Sequence, residues 1–250
     1  MPTKRSPILE VQRLRTAFTD RNGTLHVLDD ISFKVLPGEF LCILGPSGSG
    51  KSTLLRILAG LLPIDSGSVK LRGRQVRGTQ PGVGMVFQDA NLMPWRSVLD
   101  NITLPLEVNG RQNGRGQEMV ELVGLQGFEQ TLPRDLSGGM AQRVAIARAL
   151  VQAPDMLLMD EPFGSLDAIT RERLGEELLR IWNLQHKTIV MVTHDIAEAL
   201  YLADRVIVLS ERPARIKLDL KVRLPRPRKP SLRYSRVFGQ LAAKLRTAIE

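Results

Sequence analysis

Two glycine-rich runs stand where each could begin a helix and hold an anion. The first is Gly45-Pro-Ser-Gly-Ser-Gly-Lys-Ser52, and the second is Leu136-Ser-Gly-Gly-Met140. Backbone N–H groups and the helix dipole make a helix N-terminus a favourable place for a phosphate. Because one nucleotide needs only one such cradle, the second run suggests a nucleotide that is shared between two copies of the chain.

The first run has the spacing of a loop that binds nucleoside triphosphates. It follows the apolar run Phe40–Leu44 and precedes a helical pattern, which is the context that this motif needs. The glycines let the backbone wrap the phosphates, the lysine reaches the β- and γ-phosphates, and the serine hydroxyl ligates Mg²⁺. The predicted nucleotide contacts are Gly45, Pro46, Ser47, Gly48, Ser49, Gly50, Lys51, Ser52 and Thr53.

Polar side chains follow several of the predicted strands. Asp160 and Glu161 end the apolar run 155–159, where the first carboxylate could hold Mg²⁺ and the second could polarise an attacking water. Gln88 ends another strand and could orient water or contact Mg²⁺, although an amide there is usually a polar cap. His194 follows a third strand and could hydrogen-bond a γ-phosphate, or it could be a structural histidine.

Two other residues have a plain structural interpretation. Asp167 could serve the nucleotide site, or it could only cap the helix that follows it. Cys42 lies in the apolar run before the phosphate loop, so we expect a small buried core residue rather than a reactive thiol.

The elements that must position these residues alternate between strand and helix, which predicts a mostly parallel sheet with helices on both faces. Residues 8–44 instead predict strands broken by turns, with Asn22-Gly23 as a hairpin signal. Residues 89–135 change character and predict a helical insertion. The predicted strands lie at 67–71, 83–87, 156–159, 189–192 and 206–209, and the predicted helices run from the phosphate loop to Gly60 and over 138–152, 169–185 and 195–203.

Composition limits the possible classes of protein. The length of 250 residues and the hydrophobic content of 43% predict one large domain, or one domain with a subdomain. We find no apolar run of membrane-spanning length and no secretory signal at the N-terminus. The aromatic content of 4% argues against a surface that stacks bases, and the one cysteine fits a reducing cytoplasm.

The net charge of +9 belongs to the C-terminal segment. Residues 211–250 hold 12 Lys/Arg and 3 Asp/Glu, whereas residues 1–210 hold 23 of each. Prolines break the first part of this segment, and apolar residues at helical spacing between Phe238 and Ile249 predict one amphipathic terminal helix. A basic segment could contact anionic lipid, nucleic acid or an acidic partner, but its plainest interpretation is a solvated extension with some helix.

Together these motifs resemble the ATPase subunit of ABC transporters. They stand in the order of that family, as Walker A loop (Gly45–Ser52), Q-loop (Gln88), signature (Leu136–Met140), Walker B (Met156–Glu161), D-loop (Ser165–Asp167) and switch histidine (His194). The resemblance implies an α/β P-loop NTPase core with a mostly parallel sheet, an N-terminal antiparallel β subdomain and a helical insertion. The expected domains are an ABC ATPase over 1–210, with its helical subdomain at about 89–150, and a basic tail over 211–250.

The resemblance also assigns roles around bound ATP and Mg²⁺. ATP would lie between Walker A of one copy and the signature of the other, and its binding would close the dimer. The implied catalytic residues are Glu161, His194, Gln88 and Lys51; further nucleotide contacts are Phe18, Ser137, Gly138, Gly139 and Asp167; metal contacts are Ser52, Gln88 and Asp160.

Two positions depart from the family pattern. Phe18 stands by spacing where the family more often has a tyrosine that stacks on adenine, and phenylalanine keeps the π-face without the hydroxyl. Met140 stands where many members carry glutamine. The phosphate-facing Ser137 and Gly139 of the signature are present, so we expect no loss of function.

Three further runs resemble the nitrate/sulfonate/taurine class of bacterial importers, a class that also serves uptake of thiamine and pyrimidine precursors. They are Asn91–Arg96, Glu161–Asp167 and Ser210–Arg215. This resemblance implies a homodimer, peripheral on the cytoplasmic face of the inner (cell) membrane, beneath two integral-membrane permease subunits. It also implies an extracytoplasmic solute-binding protein that acts through the permease, and no nucleic-acid partner.

Other classes of protein explain the motifs less well. A subunit of an ABC exporter or of a lipid-trafficking system would share the ATPase motifs but not the run Asn91–Arg96. A soluble ABC ATPase that acts on DNA or ribosomes usually has two cassettes, coiled-coil insertions or zinc sites, which are not evident in this sequence. An unrelated P-loop kinase or GTPase would not need Leu136–Met140. In the importer class that the chain resembles, partner chains would select the transported solute.

Overall fold

The computed structural model describes residues 6–20, 23–111 and 114–250. These residues form two compact units: unit 1 contains residues up to Gln80 and from Thr188 onward, and unit 2 is Pro81–Lys187. The strands within the described ranges are β1 (Leu9–Asp20), β2 (Gly23–Val35), β3 (Phe40–Leu44), β4 (Ser66–Leu71), β5 (Arg74–Gln75), β6 (Val83–Val86), β7 (Met156–Asp160), β8 (Thr188–Val192), β9 (Arg205–Leu209) and β10 (Ile216–Lys221). The helices there are α1 (Lys51–Leu58), α2 (Val98–Val108), α3 (Arg115–Leu122), α4 (Gly138–Leu150), α5 (Ala168–Gln185), α6 (Ile196–Leu202) and α7 (Arg236–Ile249).

The predicted alternation of strand and helix is confirmed, and the element boundaries agree with the predicted ones to within two residues. Buried strands were the easiest to predict, because a strand covered on both faces is a short continuous apolar run. All five residues of β3, β7 and β8 are buried.

Unit 1 contains an antiparallel sheet with the strand order β2-β1-β4-β5. The hairpin predicted at Asn22-Gly23 agrees with the antiparallel pairing of β1 and β2, in which Asp20 lies opposite Gly23. Asn22 itself lies outside the described residues. Apolar side chains of β2 such as Ile31, Phe33 and Val35 are buried, so the sheet covers part of the core of this unit.

Unit 1 also contains parallel strands that set the edge from which the phosphate loop emerges. Strand β3 pairs in parallel with β8 on one side and with β9 on the other. Helix α1 packs on β8, and α6 packs on β3. Cys42 in β3 is fully buried, as predicted, and burial raises the pKa of its thiol.

The C-terminal segment is not a solvated extension, contrary to the plainest interpretation of its sequence. Strand β10 pairs antiparallel with β9, and Val222, Leu224, Phe238 and Leu245 are buried. The terminal helix α7 is confirmed, and it packs on α6 and β9. The prediction failed because the partners of these side chains are distant in sequence, so the basic composition dominated the local pattern.

Arginines of this segment bind the last turn of α6. Arg228 donates to the carbonyl oxygens of Leu200 and Ala203, and Arg226 donates to that of Leu202 at 2.7 Å. These carbonyls are among the groups that a helix leaves without an intrahelical partner at its C-terminus. Burial lowers the pKa of Arg228 to about 10. The C-terminal segment therefore caps α6 instead of leaving the core.

The described part of unit 2 contains the parallel pair β6 and β7 together with helices α2, α3, α4 and α5, and α2, α3 and α4 pack on one another. The helical insertion predicted at 89–135 contains α2, α3 and a 3₁₀ turn at Pro133–Asp135. Along the described ranges of both units, no helix combines the length and the apolar character that crossing a membrane requires.

Candidate nucleotide site

The glycine-rich loop of unit 1 joins β3 to α1, as predicted. Gly48 and Gly50 have φ values of 77° and 94°, which L side chains rarely adopt. A Cβ atom added to Gly50 would lie 2.7 Å from Cγ1 of Val27, so glycine is also required there by the close approach of β2. The loop is thus a tight backbone cradle at the N-terminus of α1.

The chemistry of the loop suits a phosphate. The Lys51 side chain is buried, and its Nζ donates to the carbonyl oxygens of Gly45 at 3.0 Å and Pro46 at 2.9 Å. The Ser49 Oγ is also buried and finds no hydrogen-bond partner among the described residues. The lysine ammonium is therefore held at the loop itself, where a bound phosphate would meet a localised positive charge.

His194 lies at the same sheet edge as the phosphate loop. Val192 of β8 is in register with Ile43 of β3, so both chains leave the parallel strands side by side. The flanking residues are fixed: Thr193 donates its hydroxyl proton to Glu198, and Asp195 caps α6 by accepting from the Glu198 N–H at 3.0 Å. His194 itself is exposed between these two anchors.

Phe18 lies near the end of β1, opposite Leu25 of β2. Its side chain is 44% exposed, so an aromatic face is accessible on the antiparallel sheet of unit 1. This exposure suits a stacking role better than a role in the core.

In unit 2, Gln88 and the carboxylate pair lie at one end of the parallel strands β6 and β7. Val86 is in register with Met159, so Gln88 and Asp160 follow at the same edge. A Cβ atom at Gly164 would lie 3.5 Å from Oε2 of Glu161 and 3.6 Å from Nε2 of Gln88, which places both side-chain ends beside one glycine. The geometry brings the predicted catalytic carboxylate and the predicted water-orienting amide together.

The backbone of Glu161 has a φ of 43°, in the left-handed region that non-glycine residues seldom occupy. A hydrogen bond from the Gly164 N–H to the Glu161 carbonyl, at 3.0 Å, closes the turn that holds this conformation. Such conformations are concentrated at functional sites, where the surrounding structure determines them. Asp160, directly before, is buried at the end of β7.

The backbone on both sides of Gln88 is fixed by two side chains of α4 that sequence reasoning missed. Gln142 donates to the Phe87 carbonyl at 3.3 Å, and Arg148 donates to the carbonyls of Ala90 at 2.6 Å and Asn91 at 2.8 Å. Burial lowers the pKa of Arg148. Local sequence gives no signal of these bonds, because the partners are more than fifty residues apart.

A third missed residue, Asn101 on α2, fixes the next part of this segment. It is fully buried; its amide donates to the carbonyls of Met93, Arg96 and Ser97, and its Oδ1 accepts from the Met93 N–H at 2.7 Å. The loop that it holds presents Trp95, whose side chain is 74% exposed. A large aromatic side chain is therefore displayed on an ordered loop.

The signature run begins α4, as predicted. Ser137 is the N-cap, and its Oγ accepts from the Met140 N–H at 3.2 Å. The two glycines after it approach neighbouring residues closely, since added Cβ atoms at Gly138 and Gly139 would lie 3.1 Å from Leu166 and 3.0 Å from Thr170. The signature thus packs on the segment that carries Asp167.

Asp167 is the N-cap of α5 and accepts from the N–H groups of Ile169 at 3.1 Å and Thr170 at 3.0 Å. Hydrogen bonds from Thr170 lower the pKa of this carboxyl. The structural interpretation of Asp167 is therefore confirmed. A role toward nucleotide stays a prediction.

The predicted metal contacts have suitable chemistry for Mg²⁺, which prefers hard oxygen ligands. Ser52 supplies a hydroxyl at the start of α1 in unit 1, and Asp160 supplies a carboxylate at the end of β7 in unit 2. Gln88, beside Glu161, supplies an amide oxygen. When bound to nucleotide, the ion would neutralise charge on the phosphate oxygens.

Comparison with known proteins agrees with this arrangement. Residues 28–164 match the family model described as ABC transporter. Dimeric structures of the ATP-binding cassette MJ0796 superpose with TM-scores of 0.75, for a post-hydrolysis state bound to ADP and Pi, and 0.76. These are 31% and 32% identical in sequence, and each alignment covers 87% of this chain and all of the other. The chain therefore belongs to the ABC transporter family, and it is an ABC ATPase with the α/β P-loop NTPase fold.

Relatives with similar sequences are ATP-binding subunits. An uncharacterized ABC transporter ATP-binding protein of Methanocaldococcus jannaschii is 50% identical over 88% of this chain and 84% of its own length. An aliphatic sulfonates import ATP-binding protein of Bacillus cereus is 42% identical over 88% of both chains. A nitrate import ATP-binding protein of Synechocystis is 46% identical over 87% of this chain and 83% of its own length. The chain is thus an ATP-binding subunit whose relatives include subunits of import systems.

Proposed function

We propose that this chain powers the import of a small oxyanionic solute, of the sulfonate or nitrate class, by closing and opening as a homodimer around ATP. The observation that supports the proposal is the presence of two glycine-rich elements in one chain, the loop Gly45–Thr53 and the run Ser137–Gly139, each at a helix N-terminus. The import-type names of the relatives support the direction and the class of solute.

In the proposed dimer, each ATP contacts both copies. The loop and His194 of one copy hold the phosphates, and Ser137 and Gly139 of the other copy complete the shell of donors around the γ-phosphate. Ser52, Asp160 and Gln88 would hold Mg²⁺, which would neutralise charge on the phosphate oxygens. Phe18 stacks on the adenine. Because the γ-phosphate bridges both copies, its loss on hydrolysis removes contacts that favour the closed state.

Glu161 acts as the general base in this proposal. Its carboxylate accepts a proton from the water that attacks the γ-phosphorus, and the bond between that phosphorus and the bridging oxygen of ADP breaks. Gln88 beside it orients the same water. The signature of the opposite copy and His194 stabilise the charge that develops on the γ-phosphoryl oxygens.

Closure would be transmitted to permease subunits through Gln88–Arg96. Arg148 and Asn101 tie the backbone of this segment to α4 and α2, so movement of the helices moves the segment with them. Trp95 is the exposed anchor, and tryptophan is enriched among residues that dominate the energy of protein interfaces. A solute-binding protein on the other side of the membrane would act through the permease, and the chain itself would be peripheral on the cytoplasmic face.

The test is affinity capture of tagged Glu161→Gln protein from detergent-solubilised membranes of the source cells in Mg-ATP, followed by mass spectrometry. We expect a polytopic membrane protein in stoichiometric amount. Trp95→Ala in the same background should remove it, whereas Phe128→Ala, at another exposed aromatic of unit 2, should not. Recovery of only soluble proteins or nucleic acid would contradict a transport function.

His194→Ala is expected to slow ATP hydrolysis by about 10- to 100-fold, because one donor to the γ-phosphate is lost from the transition state. Steady-state release of phosphate, with nucleotide affinity measured separately, separates catalysis from binding. His26→Ala is the matched control, since His26 is exposed on β2 and pairs with Ala17. A hydrolysis rate equal to that of the control would return His194 to a structural role.

A further inference from the structure

A turn after β9 brings an arginine against the phosphate loop. The turn spans Ser210–Arg215 and is closed by two hydrogen bonds: the Ser210 N–H donates to the Arg215 carbonyl at 2.9 Å, and the Arg215 N–H donates to the Ser210 Oγ at 2.9 Å. Arg212 lies at its exposed end. All of these residues belong to unit 1, as does the phosphate loop.

The turn is fixed to β2 as well as to β9. The Ala214 N–H donates to the Val27 carbonyl at 2.8 Å, and the Asp29 N–H donates to the Ala214 carbonyl at 2.9 Å. Arg215 forms an ion pair with Asp29, which lowers the pKa of that carboxyl. The base of the turn is therefore held by backbone pairing and charge, and it cannot shift without breaking these bonds.

The same neighbours support the phosphate loop. The side chain of Val27 lies against Gly50, and the carbonyl oxygen of Leu209 would lie 3.1 Å from a Cβ atom at Gly45. Strand β2 and the end of β9 thus fix both the loop and the turn. The relative position of the turn and the loop follows from shared strands.

The guanidinium of Arg212 lies over Gly48 in the middle of the loop. A Cβ atom at Gly48 would be 3.1 Å from Nη2, 3.8 Å from Cζ and 3.9 Å from Nε of Arg212. The left-handed backbone calls for glycine at position 48, and the guanidinium lies close to the loop backbone at this residue. Among the described residues, no carboxylate forms an ion pair with Arg212, whereas Arg215, directly before β10, pairs with Asp29.

We propose that Arg212 is a phosphate-binding residue of the nucleotide site, which it approaches from the turn after β9. A guanidinium is planar, remains charged and matches phosphate oxygens with two parallel N–H donors. The residues Gly45–Thr53 contain Lys51 as their one cation and no acidic residue, so a second cation there adds to the attraction for a triphosphate. This inference rests on the proposed assignment of Gly45–Thr53 as the phosphate loop.

The test compares the affinity of the full-length Arg212→Ala protein for adenosine, AMP, ADP and ATP by isothermal titration calorimetry. We expect about 10- to 100-fold weaker binding of ATP, the loss expected for a hydrogen bond to a charged group. Along the series adenosine, AMP, ADP and ATP, the loss of affinity should first appear at the ligand that carries the phosphate contacted by Arg212. The affinity for adenosine should not change. Arg212→Lys should recover part of the affinity, since it keeps the charge without the planar fork.

Lys217→Ala is the matched control, because it removes the same charge from an exposed position on β10 of the same segment. Two results would overturn the proposal. One is that Arg212→Ala binds ATP and ADP as tightly as this control does, and the other is that its affinity for adenosine falls as much as its affinity for ATP. Lys51→Ala tests the underlying assignment separately. If it retained full affinity for ATP, the phosphate loop itself would be wrongly assigned, whatever Arg212 does.

Discussion

Glu161→Gln protein is expected to hydrolyse ATP at least about 100-fold more slowly than the wild type and to accumulate as a dimer that holds Mg-ATP. General bases contribute about 10²- to 10⁴-fold to such reactions, and glutamine has nearly the same shape without a basic oxygen. The turn that holds residue 161, closed by the bond from the Gly164 N–H, should tolerate the change. ATP would then bind and close the dimer. The dimer would accumulate, because the γ-phosphate that holds the two copies together would not be hydrolysed.

Size-exclusion chromatography in Mg-ATP, with nucleotide content measured in each peak, checks this prediction. Glu176→Gln is a suitable control, because Glu176 is an exposed carboxylate on α5. The control should hydrolyse ATP normally and elute as the wild type does. Glu161→Gln protein that binds ATP yet stays monomeric would count against a nucleotide shared between copies.

Ser137→Arg is expected to abolish hydrolysis while the affinity of each copy for ATP stays close to that of the wild type. The substitution adds a bulky cation where the signature should meet the γ-phosphate of the opposite copy. It also removes the bond from the Met140 N–H that caps α4, a change that costs about 1 kcal/mol of helix stability. The loop Gly45–Thr53, to which the proposal assigns ATP binding within each copy, is a separate segment and is not altered.

Ser137→Ala separates the two effects, since it removes the cap without adding bulk. We expect it to retain more hydrolysis than Ser137→Arg, at a similar small cost in thermal stability. Met140→Gln, which restores the residue common in the family, should leave the rate unchanged. If Ser137→Arg protein hydrolysed ATP at the wild-type rate, the signature could not be part of the active site.

Much of the site was predictable because its residues stand at the ends of buried strands. The continuous apolar runs of β3, β7 and β8 predict where these strands lie. Parallel pairing of β3 with β8 then brings Lys51 and His194 to a common edge, and pairing of β6 with β7 does the same for Gln88 and Glu161. The N-cap at Asp167 was predictable for a different reason, since capping is determined by residues within one turn.

What could not be predicted depends on contacts between distant segments. The bonds from Arg148 to Ala90 and Asn91, and those from Arg228 to the end of α6, join residues with no local pattern in common. Strand β10 did carry a local signal, because its apolar residues alternate with charged ones as in a half-buried strand, but the prolines and the basic composition of the segment obscured it. The left-handed backbone of Glu161 likewise has no signal in the residue type, which seldom adopts it.

The central claim is that each nucleotide is shared between two copies, and mixing two inactive variants tests it most directly. Lys51→Ala damages the phosphate loop, and Ser137→Arg damages the signature. In a mixed dimer with two-fold symmetry, one site receives both defects and the other receives neither. We predict that the equimolar mixture hydrolyses ATP at up to about a quarter of the wild-type rate, although each variant alone is inactive. A mixture as inactive as its parts would contradict a site built from two copies.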